Sequence, residues 1–75
     1  ISVFPIPTAK NVFLQSEVPL KRVAVFDARG KLVIDRQLQG ELNHSISLAA
    51  FSNGMYTLVV TDHQDNRIAK RLVKR

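Results

Sequence analysis

Turn-forming residues interrupt this sequence so often that no apolar segment has room for a helix of ordinary length. Pro5-Ile6-Pro7, Ser16-Glu17-Val18-Pro19, Asp27-Ala28-Arg29-Gly30, Gln39-Gly40-Glu41, Ser52-Asn53-Gly54 and the Asp62-His63-Gln64-Asp65-Asn66 stretch recur at short, regular intervals. The runs between them are strand-sized. Proline cannot donate to a ladder and biases the residue before it toward extended geometry, so Pro5 and Pro7 end the first run. Aspartate first and glycine fourth is the preference of a type I turn, so Asp27 to Gly30 should reverse the chain into a hairpin. Inside the runs the period is two. Ile46 and Leu48 alternate with Ser45 and Ser47, and Tyr56, Leu58 and Val60 share one face while Val59 lies on the other between Thr57 and Thr61. Such strands bury one face and wet the other.

Seven strands follow, at residues 1–4, 12–15, 21–26, 31–38, 44–48, 55–61 and 67–74. The last also admits a helical reading, because Ile68, Ala69, Leu72 and Val73 would line one side of a helix. A strand is expected there, since a helix this short is a poor isolated structure and every earlier element is extended. The expectation is an all-β, immunoglobulin-like sandwich forming a single domain over residues 1–75. A chain of this size buries only about 60% of the surface it exposes when unfolded. It contains no cysteine, so neither a disulfide nor a thiolate metal site can supplement the core.

The chain opens with Ile1-Ser2-Val3-Phe4, without a basic region followed by a long apolar stretch, and is expected to be a fragment of a larger protein. No segment reads as a membrane-inserting helix. The formal net charge is +5, and the ending concentrates it: Arg67, Lys70, Arg71, Lys74 and Arg75 have no acidic residue among them. This is a basic terminal strand, suited to an anionic partner, rather than a uniformly basic protein.

Catalytic chemistry finds little to use. His44 and His63 are the available bases, one at a strand start and one in a turn, and no nucleophile, oriented base and oxyanion donor assemble around either. The expectation is therefore no enzyme, no cofactor and no metal. Asp62, His63, Asp65 and Asn66 do not follow a calcium-loop pattern and read more simply as a hairpin turn. Nucleic-acid binding would interleave aromatics with the basic strand, whereas Phe4, Phe13, Phe26, Phe51 and Tyr56 are scattered and expected mostly among core residues.

Three separated segments are together more specific. Val3-Phe4-Pro5-Ile6-Pro7-Thr8, then Val23 through Asp27-Ala28-Arg29-Gly30 to Val33, then Phe51-Ser52-Asn53-Gly54-Met55-Tyr56 through Val60 with the ending Lys70-Arg71-Leu72-Val73-Lys74-Arg75, resemble in order and spacing the C-terminal sorting domains of type IX secretion, type A. Ile6 stands where that family usually has asparagine between the prolines, which removes a turn-capping amide. The resemblance spans essentially the whole chain. It implies an immunoglobulin-like domain at the end of an exported protein, acting as a sorting signal. Its implied partners are the type IX translocon and an outer-membrane β-barrel shuttle, with a sortase-like cysteine peptidase removing the domain in many members. Its implied route runs through the periplasm to the cell surface, the outer membrane or the medium.

Lys70, Arg71, Leu72, Val73, Lys74 and Arg75 are the expected sorting motif, the cations being equally readable as a solvated strand. Pro5, Pro7, Asp27, Gly30, Gly54 and Tyr56 are motif positions with structural readings: positive φ or close approach at the glycines, and a core ring with its hydroxyl satisfied near the edge at Tyr56. Docking by strand addition would let the main chain supply affinity and the basic side chains register. The alternative is an adhesion or carbohydrate-binding sandwich, which would require an exposed aromatic platform.

Overall fold

The computed structural model describes residues 2–4 and 11–74. Pro5, Pro7 and Arg75 lie outside them. Seven strands occur among the described residues: β1 (Ser2–Phe4), β2 (Asn11–Gln15), β3 (Leu20–Phe26), β4 (Leu32–Gln37), β5 (Asn43–Ser47), β6 (Gly54–Asp62) and β7 (Arg67–Lys74). The ambiguous last segment is thus a strand, pairing antiparallel with β6 from Thr61↔Arg67 to Gly54↔Lys74. The other limits differ from expectation by a residue or so at strand ends, where turn hydrogen bonds compete with the ladder. Lys31, expected in a strand, instead closes the preceding turn, its N–H donating to the Asp27 carboxylate at 2.9 Å.

The strands form a three-stranded sheet, β1-β2-β5, and a four-stranded sheet, β4-β3-β6-β7, all paired antiparallel. This is the connectivity of an immunoglobulin-like sandwich, with strands one, two and five against strands four, three, six and seven. Alternation explains the core. Val12, Leu14 and Ile46 from the first sheet pack with Val23, Val25, Ile34, Tyr56, Leu58, Val60 and Leu72 from the second, all buried. The largest fully buried side chains are aliphatic: Leu14, Leu20, Leu48, Leu58 and Leu72 lead them.

The aromatics depart from expectation. Phe13 is 44% exposed and Phe26 and Phe51 are half-buried, which leaves Tyr56 as the buried aromatic among the side chains described. Leucine and valine already fill the gap between these short strands, and the phenylalanines fall at odd positions of the alternation or in a loop.

Two of the three crossovers between the sheets, β2–β3 and β4–β5, run side by side at one end. Main-chain hydrogen bonds tie them together: Ser16 N–H to Leu42 C=O at 2.8 Å, Leu20 N–H to Glu41 C=O at 3.0 Å and Gly40 N–H to Leu20 C=O at 3.1 Å. Buried Ser16 also accepts the Val18 N–H at its hydroxyl, 3.0 Å away. The polar groups of the crossovers therefore find partners without a strand ladder.

Candidate functional site

Antiparallel pairing gathers the second and third of the separated motifs at the opposite end. β3 ends there in the Asp27–Gly30 turn, β6 begins there at Gly54, and β7 finishes beside that glycine at Lys74. Residues far apart in sequence thus border one region: Phe26, Asp27, Ala28, Gly30, Met55 and Arg71 line the same dent.

The β3–β4 turn is built by one carboxylate. Asp27 Oδ1 accepts the N–H of Arg29 and of Lys31, each at 2.9 Å, while Gly30 N–H donates to the Asp27 carbonyl at 3.0 Å. Gly30 closes the loop at φ +83°, a left-handed conformation that side-chain-bearing residues rarely adopt. This is a type I turn followed by a left-handed residue, a common three-residue hairpin connection. The β6–β7 turn repeats the design at the far end. Asp62, buried, accepts the N–H of Gln64 at 2.8 Å and of Asn66 at 3.0 Å, and Asp65 takes the left-handed place at φ 63°. Its carboxylate is occupied in holding the loop. Among the described residues no group of three or more His, Cys, Asp or Glu could hold a metal ion. His63 is exposed and His44 half-buried on an edge strand.

Tyr56 enters the core at the start of β6, and its hydroxyl donates back to the Ser52 carbonyl at 2.5 Å. A tyrosine bonded to the main chain a few residues upstream, at the corner where the chain passes between sheets, is a hallmark of immunoglobulin-like sandwiches. Phe51 stacks against it at a tilt, ring centroids 6.2 Å apart.

The structure gives the residues of the basic ending different surroundings. Lys74 folds back over the 48–53 loop, its ammonium donating to the carbonyls of Phe51 and Ala49. Leu72 is 1% exposed and belongs to the core, paired with Tyr56. Val73 is half-buried on the outer face beside Met55. Lys70 and Arg71 point to opposite faces of the sheet, both exposed. Sequence reasoning grouped these cations by proximity along the chain, but a strand's period of two separates neighbours.

The remaining charges on the outer face of the four-stranded sheet are answered. Arg22 grips Asp35 with two bonds, Nε to Oδ1 at 2.8 Å and a terminal nitrogen to Oδ2 at 3.1 Å. That hydrogen bond holds the Asp35 carboxyl below its ordinary range and raises the Arg22 guanidinium. Lys21 reaches Asp65 at 2.9 Å and, first by hydrogen bonding and then by charge, lowers its carboxyl, with Arg67 adding to the effect.

A cysteine-free sandwich of two antiparallel sheets, closed by a tyrosine corner, defines an immunoglobulin-like module. A family model described as a secretion system C-terminal sorting domain matches residues 2–75, and the chain belongs to that family, the C-terminal sorting signals of type IX secretion. The family is one of sorting signals, not of enzymes, and such a signal directs its cargo to the cell surface or out of the cell. Comparison with curated proteins returned no match. No helix among the described residues is long and apolar enough to cross a membrane.

Proposed function

We propose that the domain closes a larger exported protein and addresses it by docking to the type IX translocon and its outer-membrane β-barrel shuttle through β7 and the adjoining loops. In this reading the cargo passes through the periplasm, the domain performs no catalysis, and a sortase-like cysteine peptidase is its processing enzyme where it is removed. Lys70, Arg71, Val73 and Arg75 face the partner, Leu72 and Lys74 hold the strand in place, and Pro5, Pro7, Asp27, Gly30, Gly54 and Tyr56 shape the scaffold.

The observation that carries the reading is the sheet order. β7 is an edge strand whose ladder with β6 runs without a bulge over its full length. The opposite edge, β4, has its ladder broken by a register shift and carries Asp35 and Arg36. Both edges carry charges, but a bulge also discourages strand addition, so the regular β7 is the better template for a partner's strand. Lys70 and Arg71, exposed on it, discourage indiscriminate pairing and favour an acidic partner.

The test is delivery of an inert reporter carrying a signal peptide and residues 1–75, in a cell with a working type IX system. The reporter should reach the surface, and removing residues 70–75 should strand it. Because Leu72 is core, the truncation is paired with Lys70→Gln/Arg71→Gln, which keeps the fold and removes only charge. Delivery that fails for the unaltered chain, or survives the truncation, contradicts the proposal.

An adhesive reading has one observation in its favour: the uncharged outer face of the three-stranded sheet, where exposed Phe13 lies among Asn11, Gln15, Asn43, Ser45 and Ser47. Titration with neutral oligosaccharides, comparing the native chain with Phe13→Ser, distinguishes it: saturable binding lost in the variant supports adhesion.

A further inference from the structure

Among the described residues, the Arg71 side chain forms no ion pair or hydrogen bond; on the same outer face Asp35 holds Arg22, and Arg67, likewise without such a bond, has the Asp65 charge acting on it. Its surroundings are also the most apolar part of that face. Register aligns Leu32, Phe26, Thr57 and Arg71 in one row across all four strands, with Met55 and Val73 paired in the neighbouring row. Leu32 is 42% and Met55 48% exposed, two of the large hydrophobics left open to water. Beside Met55 lies a dent of about 460 Å³, lined by the apolar side chains of Phe26, Ala28 and Met55 and by Arg71.

Resting on the docking reading above, we propose that this dent is the specificity pocket of the domain, receiving an apolar side chain of the partner protein next to a carboxylate that pairs with Arg71. Charge complementarity selects the occupant. A guanidinium beside an apolar wall binds a planar carboxylate through two parallel hydrogen bonds, and partial exclusion of water strengthens the pair. Asp27, whose carboxylate accepts two N–H groups of its own turn, also borders the dent. One fixed negative charge beside one positive charge tolerates a monoanionic side chain better than a phosphate, which brings nearly two charges. Met55 suits such a site because its flexible thioether adapts to different apolar partners. The pocket makes the sorting signal bipartite: strand pairing at β7 supplies adhesion, and the outer face reads side chains.

The same reporter fusion tests this in matched charge reversals. Arg71→Glu should lower surface delivery about tenfold or more, as expected when a charged hydrogen-bonded pair becomes a repulsion, and Arg71→Lys should restore part of it. Arg67→Glu, on the same strand and face at the far end, should leave delivery near that of the unaltered chain. Met55→Glu should behave like Arg71→Glu. Thermal melts of the purified variants, all altered at exposed positions, should superimpose. If the unaltered chain is not delivered, the sorting reading falls. If it is delivered and Arg71→Glu is delivered equally, the pocket is overturned while sorting stands. Equal loss in Arg67→Glu overturns the pocket in favour of a general charge requirement. Arg71-dependent binding of the domain to phosphatidylglycerol vesicles that survives Met55→Glu overturns it in favour of a lipid surface. A concentration-dependent dimer abolished by Met55→Glu overturns it in favour of a second copy of this chain.

Discussion

Leu72→Ala should cost this domain a large fraction of its stability, although the residue sits near the end of a strand that reads as a solvent-facing basic tail. Leu72 is 1% exposed, pairs with Tyr56 across the β6–β7 ladder and belongs to the single aliphatic core shared by both sheets. Truncating a buried leucine removes its transfer free energy and leaves a cavity, together about 3 kcal/mol. A 75-residue domain has a total stability of about 4 to about 11 kcal/mol. Each kcal/mol shifts the melting temperature of a domain this size by about 4–8 °C, so a fall of about 12 to about 24 °C is expected. The assay is a circular-dichroism melt of the purified domain, with Lys70→Ala on the same strand as the comparison and expected to melt within about 3 °C of the unaltered protein. A Leu72→Ala melt lowered by less than about 4 °C would show that β7 is not part of the cooperative unit, which would refute the assignment of Leu72 to the core. The result also governs how truncations of this terminus are interpreted, since an unfolded domain fails to sort for reasons unrelated to recognition.

Gly30→Val should destabilise by about 1–2 kcal/mol through backbone strain alone, because φ is +83° while an added Cβ would meet no atom within 4 Å; an unchanged urea midpoint would contradict this. Tyr56→Phe deletes the bond to the Ser52 carbonyl and keeps the buried ring, so a loss of about 1 kcal/mol in urea unfolding is expected, and a neutral result would mean that the corner contributes no net stability. Asp35 and Asp65 titrate below their ordinary values in the folded chain because Arg22 and Lys21 hydrogen-bond their carboxylates. The stability they contribute is present above the unfolded-state pKa and is lost as pH falls through the lowered folded-state values. The urea midpoint should therefore fall below about pH 4, and the double variant Asp35→Asn/Asp65→Asn should flatten that slope; an equal slope would show that neither pair is maintained in solution.

Local chemistry carried most of the fold. Proline, glycine and aspartate set where the chain turns, since their preferences act within a few residues. The period-two alternation at Ile46/Leu48 and at Tyr56/Leu58/Val60 told which side of each strand is buried, because a strand has only two faces. Asp27 and Gly30 were legible as a turn for the same reason: carboxylate, N–H donors and left-handed residue all lie within one loop. What the sequence alone could not determine was which strand ends meet, and hence that Asp27, Tyr56 and Arg71 border one region. That depends on ladder pairings between residues up to tens of positions apart. Nor could it separate the cations of the last strand. Lys70, Arg71 and Lys74 are similar in composition, yet β6 pairing turns Arg71 outward beside Phe26 and Met55, leaves Lys70 on the inner face at an open edge, and brings Lys74 onto the carbonyls of the 48–53 loop. Exposed Phe13 and half-buried Phe26 and Phe51 follow the same logic. Hydrophobicity states that a ring gains by leaving water, but whether space remains for it is decided by the aliphatic side chains that two sheets, each only a few strands wide, have already packed between them.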